Sequence, residues 1–338
     1  MDGFGDGDGR VRTDGDPVRV HGVDFSAAAD DAGRKTWIAS GRVDPERGKL
    51  VVTGLRRLVD LAEGRGPQRE DALPALAAWV RGLDAGEVVG LDFPFGLPRF
   101  VVEATGRDSW RSFISDFPES IGVDGVGGGD GVDGVGGGEG VDGAAERGGA
   151  DDSDDPVRAF AERCVGLTER RGEGTYDKRE TDAAVGARSP YGFIADTIAF
   201  YGMRDVLAPL VDRVRFAPMD RTEEGWRPEA PPGPTVAETY PAAVLDRLGL
   251  HRTGYKGSGD AETTRRRRNA EGLVESGDVT YKSKDEVTDA MVSDAGGDAL
   301  DAVAACVGAF GAWRRGYETD TAAFDDPDAV AVEGYIYA

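Results

Sequence analysis

The sequence has very few residues for thiol or imidazole chemistry. Cys164 and Cys306 are its only cysteines, and His21 and His251 are its only histidines. Neither cysteine belongs to a Cys-x-x-Cys pair, so a disulfide scaffold and a thiolate zinc site are excluded. A site that needs several imidazole groups is excluded as well. Metal binding or acid–base chemistry must therefore rely on other side chains.

Long apolar runs and an N-terminal targeting pattern are also lacking. No apolar stretch approaches the roughly 20 residues that a membrane-spanning helix needs. The first residues, MDGFGDGDGRVRTDGD, are acidic and rich in glycine. A signal peptide would instead begin with basic residues followed by an apolar segment. The sequence thus predicts a soluble, cytoplasmic protein without a membrane partner.

Basic residues are too few to balance the acidic ones. The chain has 40 Lys plus Arg against 63 Asp plus Glu, which gives a net charge of −23. Such a charge disfavours binding to nucleic acid or membranes through electrostatics alone. Lysine is especially rare, and this composition is typical of proteins adapted to a high-salt cytoplasm. Because the Debye length falls to about 3 Å in molar salt, the acidity there describes the solvent more than the ligand.

Apolar sequence is sufficient for a core, since 39% of the 338 residues are hydrophobic. Residues 1–16 are predicted to be a disordered acidic tail. Residues 122–155 are a Gly- and Asp-rich insertion with two repeats, GGDGVDGV and GGEGVDGA, that match the calcium-binding β-roll nonapeptide. Two repeats are too few for a stable stack, so a disordered linker is favoured. We predict one domain over 17–338, interrupted by this insertion and by a helical insertion over 156–227.

Hydrophobic periodicity predicts a mixed α/β fold. Three strands at short spacing indicate an antiparallel meander, and helices and strands alternate after it. The predicted strands are 18–26, 35–43, 48–55, 87–98, 235–241 and 332–338, and the clearest predicted helices are 71–83, 242–250 and 297–313.

Five acidic residues differ from the background because they interrupt or end apolar elements. Asp24 and Asp92 end apolar strands, and Glu238 lies in the short strand TVAETYP. Asp298 and Asp301 are three positions apart in GDALDAVAACVGAF, so they share a helix face. Buried carboxylates that converge repel one another, and a hard divalent cation with oxygen ligands is the usual compensation.

Each acid also has a simpler interpretation. Asp24 and Asp92 can be turn caps at strand ends, and Asp298 can be the N-cap of its helix. Glu238 can be an edge-strand residue paired with an arginine. Asp301 is harder to explain in this way because it lies one turn inside an apolar helix.

The order of the elements resembles the ribonuclease H-like fold, with three antiparallel strands followed by alternating helices and strands. In that fold the first strand, the fourth strand and the closing helix supply the acids, and DALDA resembles the closing helix of RuvC-type resolvases. The motifs GVDFSAA, GLDFPFGLP, ETYP, GDALDAVAA and EGYIY together resemble the domain of unknown function 429 family of predicted ribonuclease H-like nucleases. The resemblance implies a mixed sheet flanked by helices and an acidic site.

From this resemblance we expect metal-dependent hydrolysis of phosphodiester bonds in a nucleic acid. Two Mg²⁺ or Mn²⁺ ions about 3.5–4 Å apart would occupy the acidic site. The expected metal ligands are Asp24, Asp92, Asp298 and Asp301, and Glu238 is expected to complete the site or position water. The expected substrate contacts are Arg179 and Thr181 of the segment KRETD, and Arg265 and Arg266 of the basic run 265–268. A solvated loop is the alternative interpretation of that run, while Asp182 and SPYGF (189–193) are expected to line the cleft.

Two other functions stay open on the sequence alone. Actin-like phosphotransferases share the strand order, but they carry D-x-G-T at the first hairpin, where glycine lets backbone amides approach phosphate. Here the sequence is DFSAAADDAG, with glycine only at position 33. The other function is a non-catalytic binding protein that keeps the fold, and the net charge of −23 slightly favours it.

Overall fold

The computed structural model describes residues 17–61, 66–123, 155–172 and 174–338. The predicted acidic tail over 1–16 lies outside the described residues, as do residues 124–154 of the predicted insertion. The expectations of disorder and of calcium-binding repeats concern those segments and stay predictions.

The described residues form one mixed sheet of eight strands and a separate two-stranded ribbon. The strands are β1 (Arg19–Asp24), β2 (Trp37–Asp44), β3 (Lys49–Arg57), β4 (Val88–Leu91), β5 (Arg215–Ala217), β6 (Arg221–Thr222), β7 (Gly225–Trp226), β8 (Thr235–Thr239), β9 (Val279–Tyr281) and β10 (Ile336–Tyr337). The large sheet has the order β10-β8-β4-β1-β2-β3-β9, with β5 paired to β8. β1, β2 and β3 form the antiparallel meander, and β4 and β8 extend the sheet in parallel. This arrangement confirms the predicted fold class and is consistent with a ribonuclease H-like fold.

Helices flank the sheet. They are α1 (Ala32–Lys35), α2 (Leu58–Leu61), α3 (Arg69–Arg81), α4 (Arg99–Ala104), α5 (Trp110–Ser115), α6 (Pro156–Arg171), α7 (Glu180–Val185), α8 (Ile194–Tyr201), α9 (Pro241–Arg247), α10 (Asp260–Glu275), α11 (Lys284–Ser293), α12 (Asp298–Arg314) and α13 (Val330–Glu333). Short 3₁₀ or π segments span Glu119–Ile121, Gly202–Leu207, Ala208–Leu210 and Pro327–Ala329. In the part of the chain that the structure describes, no helix combines the length and the apolar character needed to cross a bilayer.

Alternation along the strands assigns residues to two cores, one on each face of the sheet. Val23 of β1 and Leu91 of β4 pack into the core that contains α3, α4 and α5. Val20 and Val88 pack into the core beneath α12. Because successive side chains of a strand point to opposite faces, Asp24 and the residue after Leu91 lie on the α12 side.

Several segments differ from the sequence-based expectation. The expected strand 87–98 is limited to Val88–Leu91, and the expected strand 332–338 begins in α13 and forms β10 only at Ile336–Tyr337. The basic run lies in α10, a regular helix, because Arg266, Ala270 and Leu273 form a buried face at helical spacing. The segment 156–227, expected to be helical, also contains β5, which pairs in parallel with β8. A three-residue strand has too little alternation to be recognised in sequence, and only its partner in the sheet defines it.

Candidate metal centre

Three of the predicted acids meet at one edge of the sheet. Asp24 ends β1, while Asp298 and Asp301 occupy the first turn of α12. Each of the three offers a carboxylate oxygen, and these oxygens all lie within 4.8 Å of one another. Asp24 is 7% exposed and Asp301 3% exposed, whereas Asp298 is partly exposed. The structure therefore brings together a cluster of acids that can hold a metal ion.

Asp92 lies next to this cluster but outside the group of three. It directly follows β4, and its N–H donates a hydrogen bond to the carbonyl oxygen of Val23 at 3.0 Å. Burial raises the pKa of Asp92 well above its usual value, and the charge of Asp301 raises it further. Asp92 and Asp301 line the same cavity. The fourth predicted acid is thus an electrostatic neighbour of the cluster.

Close packing of α12 on the sheet brings the acids together. Gly22 of β1 is paired with Gly90 of β4 in the parallel ladder. A Cβ atom on Gly22 would lie 2.0 Å from the Cys306 backbone nitrogen and 2.3 Å from the Ala302 oxygen. A Cβ atom on Gly90 would lie 2.7 Å from the Ala305 oxygen. Only residues without a side chain allow the helix backbone to approach this closely.

The start of α12 leaves the Asp298 carboxylate available. Gly297, with φ +77°, is the N-cap residue, so Asp298 is the first residue of the helix. The Ala299 N–H donates a hydrogen bond to Asp294 Oδ2 at 2.9 Å. Since Asp294 caps this N–H group, the simple interpretation of Asp298 as the helix N-cap does not apply.

Burial and the closeness of like charges make the ionised carboxylates of this cluster costly. Burial raises the pKa of Asp24 well above its usual value, and the charges of Asp301 and Asp298 raise it further. Burial also raises the pKa of Asp298, while Lys256 lowers it. Raised carboxyl pKa values at one place mean that the ionised state is costly without a cation.

Lys256 supplies part of the missing positive charge. Its Nζ lies 2.7 Å from Asp301 Oδ2 and 3.5 Å from Asp298 Oδ1. Burial alone would lower the pKa of Lys256, but Asp301 and Asp24 raise it above the usual value. Next to it, the Tyr255 hydroxyl donates a hydrogen bond to Asp301 Oδ1 at 2.7 Å. The ammonium group of Lys256 thus occupies part of the space in which these acids would meet a cation.

Neither Lys256 nor Tyr255 was among the residues expected at the site. Both lie in the loop between α9 and α10, where no periodic pattern marks them. The rarity of lysine was the available signal, because Lys256 is one of few lysines in a chain rich in arginine.

Glu238 lies on the other face of the sheet, away from α12. It is paired with Leu91 in the parallel ladder, and Leu91 faces the opposite core. Arg179 donates to Glu238 at 2.5 Å (Nη2 to Oε1) and 2.8 Å (Nη1 to Oε2), and the Phe95 N–H donates to Oε2 at 2.9 Å. Glu238 is therefore a strand residue paired with an arginine, which was its simpler interpretation. It lies on the opposite face of the sheet from the acidic cluster, and not in the metal site where it was expected.

The expected substrate contacts are also engaged within the protein. Arg179 is fully buried and binds Asp182 with Nε at 2.8 Å and Nη2 at 2.7 Å. The Thr181 hydroxyl accepts a hydrogen bond from the Ile336 N–H. Both residues therefore join α7 to β8 and β10, which differs from the expected contact with substrate.

The two arginines of α10 have different environments. Arg266 is 2% exposed and donates to the carbonyl oxygens of Val292, Tyr255 and Gly257. These bonds hold the loop that carries Lys256, so Arg266 is not placed to meet phosphate as expected. Arg265 is partly exposed and donates to the Gly254 oxygen at 2.8 Å.

The chemistry of the donors fits a hard divalent cation. Asp24, Asp298 and Asp301 offer only oxygen atoms, which Mg²⁺, Mn²⁺ and Ca²⁺ prefer. They converge in a partly buried place where their charges repel, and an ammonium group already lies among them. Asp92 is close enough to interact electrostatically with Asp301.

The fold and this site define a mixed α/β protein with ribonuclease H-like strand order and an acidic cluster that can bind a metal. A family model described as "Protein of unknown function (DUF429)" matches residues 214–327 and supports the predicted resemblance to that family over this segment. That segment includes β8 and the first turns of α12, and thus the motifs ETYP and GDALDAVAA. The comparisons with curated proteins and with solved structures give no significant match.

Proposed function

We propose that this protein is a metal-dependent nuclease that hydrolyses phosphodiester bonds. The observation that carries the proposal is the convergence of Asp24, Asp298 and Asp301, whose carboxylate oxygens lie within 4.8 Å of one another. Sequence-distant acids that share one buried place need a common positive partner. The phosphate group of a nucleic acid is a substrate that uses such a cation directly.

The proposed cofactor is Mg²⁺ or Mn²⁺. Such an ion, when bound, supplies a coordinated water of lowered pKa and stabilises the charge on the leaving oxygen. Asp24, Asp298 and Asp301 are the proposed ligands, and Asp92 is the proposed fourth contributor from the neighbouring strand. Tyr255 holds the Asp301 carboxylate in one orientation through its hydrogen bond.

A cavity of about 380 Å³ provides room for substrate beside the acids. Asp92 and Asp301 form one side of it, and Lys256, Arg252 and Tyr240 line other parts. Two cationic side chains and two tyrosine rings, those of Tyr240 and Tyr255, next to a metal site suit a nucleotide phosphate and its base. Lys256, whose side chain is 54% exposed, can leave the acids and bind phosphate.

The test measures cleavage and metal binding in the same protein preparations. Purified full-length protein in high salt with Mn²⁺ is incubated with single-stranded, duplex, branched and RNA–DNA hybrid substrates. We expect cleavage of at least one substrate, and its loss in Asp24→Asn and Asp301→Asn. The matched control is Asp285→Asn, which removes an exposed acid from α11.

Thermal unfolding with and without Mn²⁺ separates the site from the activity. Saturating Mn²⁺ should stabilise the wild type, because a ligand that binds only the folded state adds stability in proportion to the logarithm of its concentration. Asp24→Asn and Asp301→Asn should lose that gain, and Asp285→Asn should keep it. Metal stabilisation without cleavage would instead favour a non-catalytic binding protein. If the site variants responded to Mn²⁺ as the wild type does, the proposed metal centre would be wrong.

A further inference from the structure

A second cavity, of about 410 Å³, combines aromatic rings with positive charge. It is lined by Tyr176, Lys178, Arg188, Ser189, Gly192 and Phe193. Among the described residues the exposed large hydrophobic side chains are Tyr176, Phe193 and Ile194, at 49%, 76% and 71% exposure. All three lie in or directly beside this cavity. A soluble domain rarely exposes such a group unless it binds something.

The cavity also contains a buried polar atom without a partner. The Ser189 Oγ is buried and makes no hydrogen bond, although it lines the cavity. A buried hydroxyl without a partner costs free energy, and a ligand with a polar group can recover it. This atom is the second, independent sign that the cavity accommodates a molecule.

The walls of the cavity are fixed by the protein. The Tyr191 hydroxyl bonds to the Thr168 hydroxyl at 2.7 Å and accepts the Asp177 N–H at 2.8 Å. The Tyr176 and Tyr191 rings lie 6.2 Å apart. Phe193 has a φ of +47°, a conformation that costs free energy in a residue other than glycine, and its side chain is exposed.

Two basic side chains line the cavity, although the chain as a whole is acidic. Lys178 and Arg188 are both exposed, and within the described ranges no acidic side chain forms an ion pair with either. The chain as a whole has a net charge of −23. Lys178 and Arg188, which lie next to aromatic side chains and have no ion-pair partner among the described residues, suit a ligand that carries both negative charge and aromatic rings.

This cavity is close to the proposed metal centre along the surface. Arg252 lines the cavity beside Asp92 and donates to the carbonyl oxygens of Val185 and Gly186 at 2.8 and 3.0 Å. Arg188 follows Gly186 by two residues, so their Cα atoms are at most about 8 Å apart. A chain molecule that leaves the first cavity at Arg252 therefore reaches the second within a few nucleotides.

We infer that the cavity formed by Tyr176, Lys178, Arg188, Ser189 and Phe193 binds unpaired nucleotides of a single-stranded nucleic acid. Bases stack on the Tyr176 and Phe193 rings, and the backbone phosphates contact Lys178 and Arg188. The bases of a duplex are stacked on each other and are not available to these rings. The inference deepens the proposed function, on which it rests for its biological role, by assigning a preference for single strands.

The test measures binding in EDTA, so it does not depend on metal or cleavage. A fluorescein-labelled oligothymidylate of about 12 nucleotides and a duplex of equal length are titrated with the full-length protein by fluorescence anisotropy. We expect tighter binding of the single strand. Phe193→Ala and Tyr176→Ala should each weaken it by about 5-fold or more, also in high salt, because stacking is not screened. Ser189→Ala should weaken it by roughly 2- to 5-fold.

The contribution of Lys178 and Arg188 is tested through the salt dependence of binding, with a separate control. Lys178→Gln with Arg188→Gln should weaken binding mainly in low salt and reduce the salt dependence by about 0.7 in log–log slope per lost phosphate contact. The control, Arg42→Gln with Arg47→Gln, removes the same charge from exposed positions around the β2–β3 turn. It should leave the slope unchanged.

Three results would overturn the inference: equal affinity for duplex and single strand, wild-type binding by Phe193→Ala, or an equal loss in the control. Wild-type binding by all cavity variants would mean that the single strand binds elsewhere on the protein. Because EDTA removes any metal, these results are distinguishable from a failure of the nuclease proposal, which is decided by cleavage and by Mn²⁺ stabilisation.

Discussion

Gly22 of β1 and Gly90 of β4 lie side by side in the parallel ladder, and both lie directly beneath α12. Together they form a strip without side chains across two neighbouring strands. The helix backbone fits against this strip, and its first turn then places Asp301 beside Asp24. The position of the acids thus depends on the absence of a side chain at Gly22 and Gly90.

Gly22→Ala should disrupt the site from a distance. The new Cβ atom would overlap the α12 backbone at Cys306 and Ala302, so the helix has to shift. We expect a loss of about 1–3 kcal/mol or more in unfolding free energy, and a smaller Mn²⁺-induced stabilisation. Denaturant unfolding with and without Mn²⁺ measures both. The control is Gly54→Ala on β3, where the added atom meets nothing within 4 Å; equal effects of both changes would contradict this account.

Lys256→Met should lower the melting temperature of the metal-free protein and increase the stabilisation that Mn²⁺ produces. Without the ammonium group, Asp301 and Asp298 lose their nearest positive charge, so the melting temperature in EDTA should fall. The same change removes a competing cation, so Mn²⁺ should bind more tightly and produce a larger stabilisation. Differential scanning fluorimetry across Mn²⁺ concentrations tests this, with Lys284→Met on α11 as the control. An unchanged Mn²⁺ response would show that Lys256 does not compete for the site.

Glu238→Gln should affect stability far more than metal binding. The change leaves the buried Arg179 with one carboxylate partner fewer, and breaking a buried pair typically costs about 3–5 kcal/mol. Since Glu238 points away from α12, the variant that remains folded should keep the Mn²⁺-induced stabilisation that Asp24→Asn loses. Parallel melting curves of the two variants make the comparison. Loss of the Mn²⁺ response in folded Glu238→Gln would place this residue in the metal site after all.

Glu333 gives the fold a dependence on pH that is independent of the metal centre. Its carboxylate accepts the N–H groups of Arg99 and Glu180, at the starts of α4 and α7. Burial nevertheless raises its pKa from 4.5 to about 7. An acid whose pKa is raised on folding contributes stability at low pH, and this contribution is lost as pH rises through the folded pKa.

We therefore expect wild-type stability to fall relative to Glu333→Gln between about pH 4.5 and 7, by at most about 3 kcal/mol. Urea unfolding at several pH values measures the difference between the two proteins. Glu46→Gln, which changes an exposed residue of the β2–β3 turn, should run parallel to the wild type. A constant difference between wild type and Glu333→Gln over this range would exclude the effect.

The sequence predicted the parts of the site that depend on local pattern. Asp24 and Asp92 follow apolar strands, and the spacing of Asp298 and Asp301 puts both on one helix face, so their positions were readable. The sequence could not predict on which face of the sheet Glu238 lies, because that face is set by the pairing of β8 with β4. Register between strands far apart in sequence is set by the packed structure.

The same limit explains the missed and misassigned cations. Lys256 lies in an irregular loop, and its role arises only where that loop meets α12. Arg266 belongs to a run of four arginines that suggested a solvated or phosphate-binding segment. In the structure it donates to carbonyl groups of the α9–α10 loop and of the last turn of α11, and no local pattern encodes such a tertiary environment.

The order of the elements along the chain, with α12 far behind the strands that it covers, has a consequence for folding. A ribosome-bound chain that has emerged only as far as α11 contains Asp24 and Asp92 but lacks the helix that brings their partners. Such an intermediate would have no complete cation site and an uncovered glycine strip. Any cation binding by these acids would therefore begin only after α12 has packed on β1 and β4.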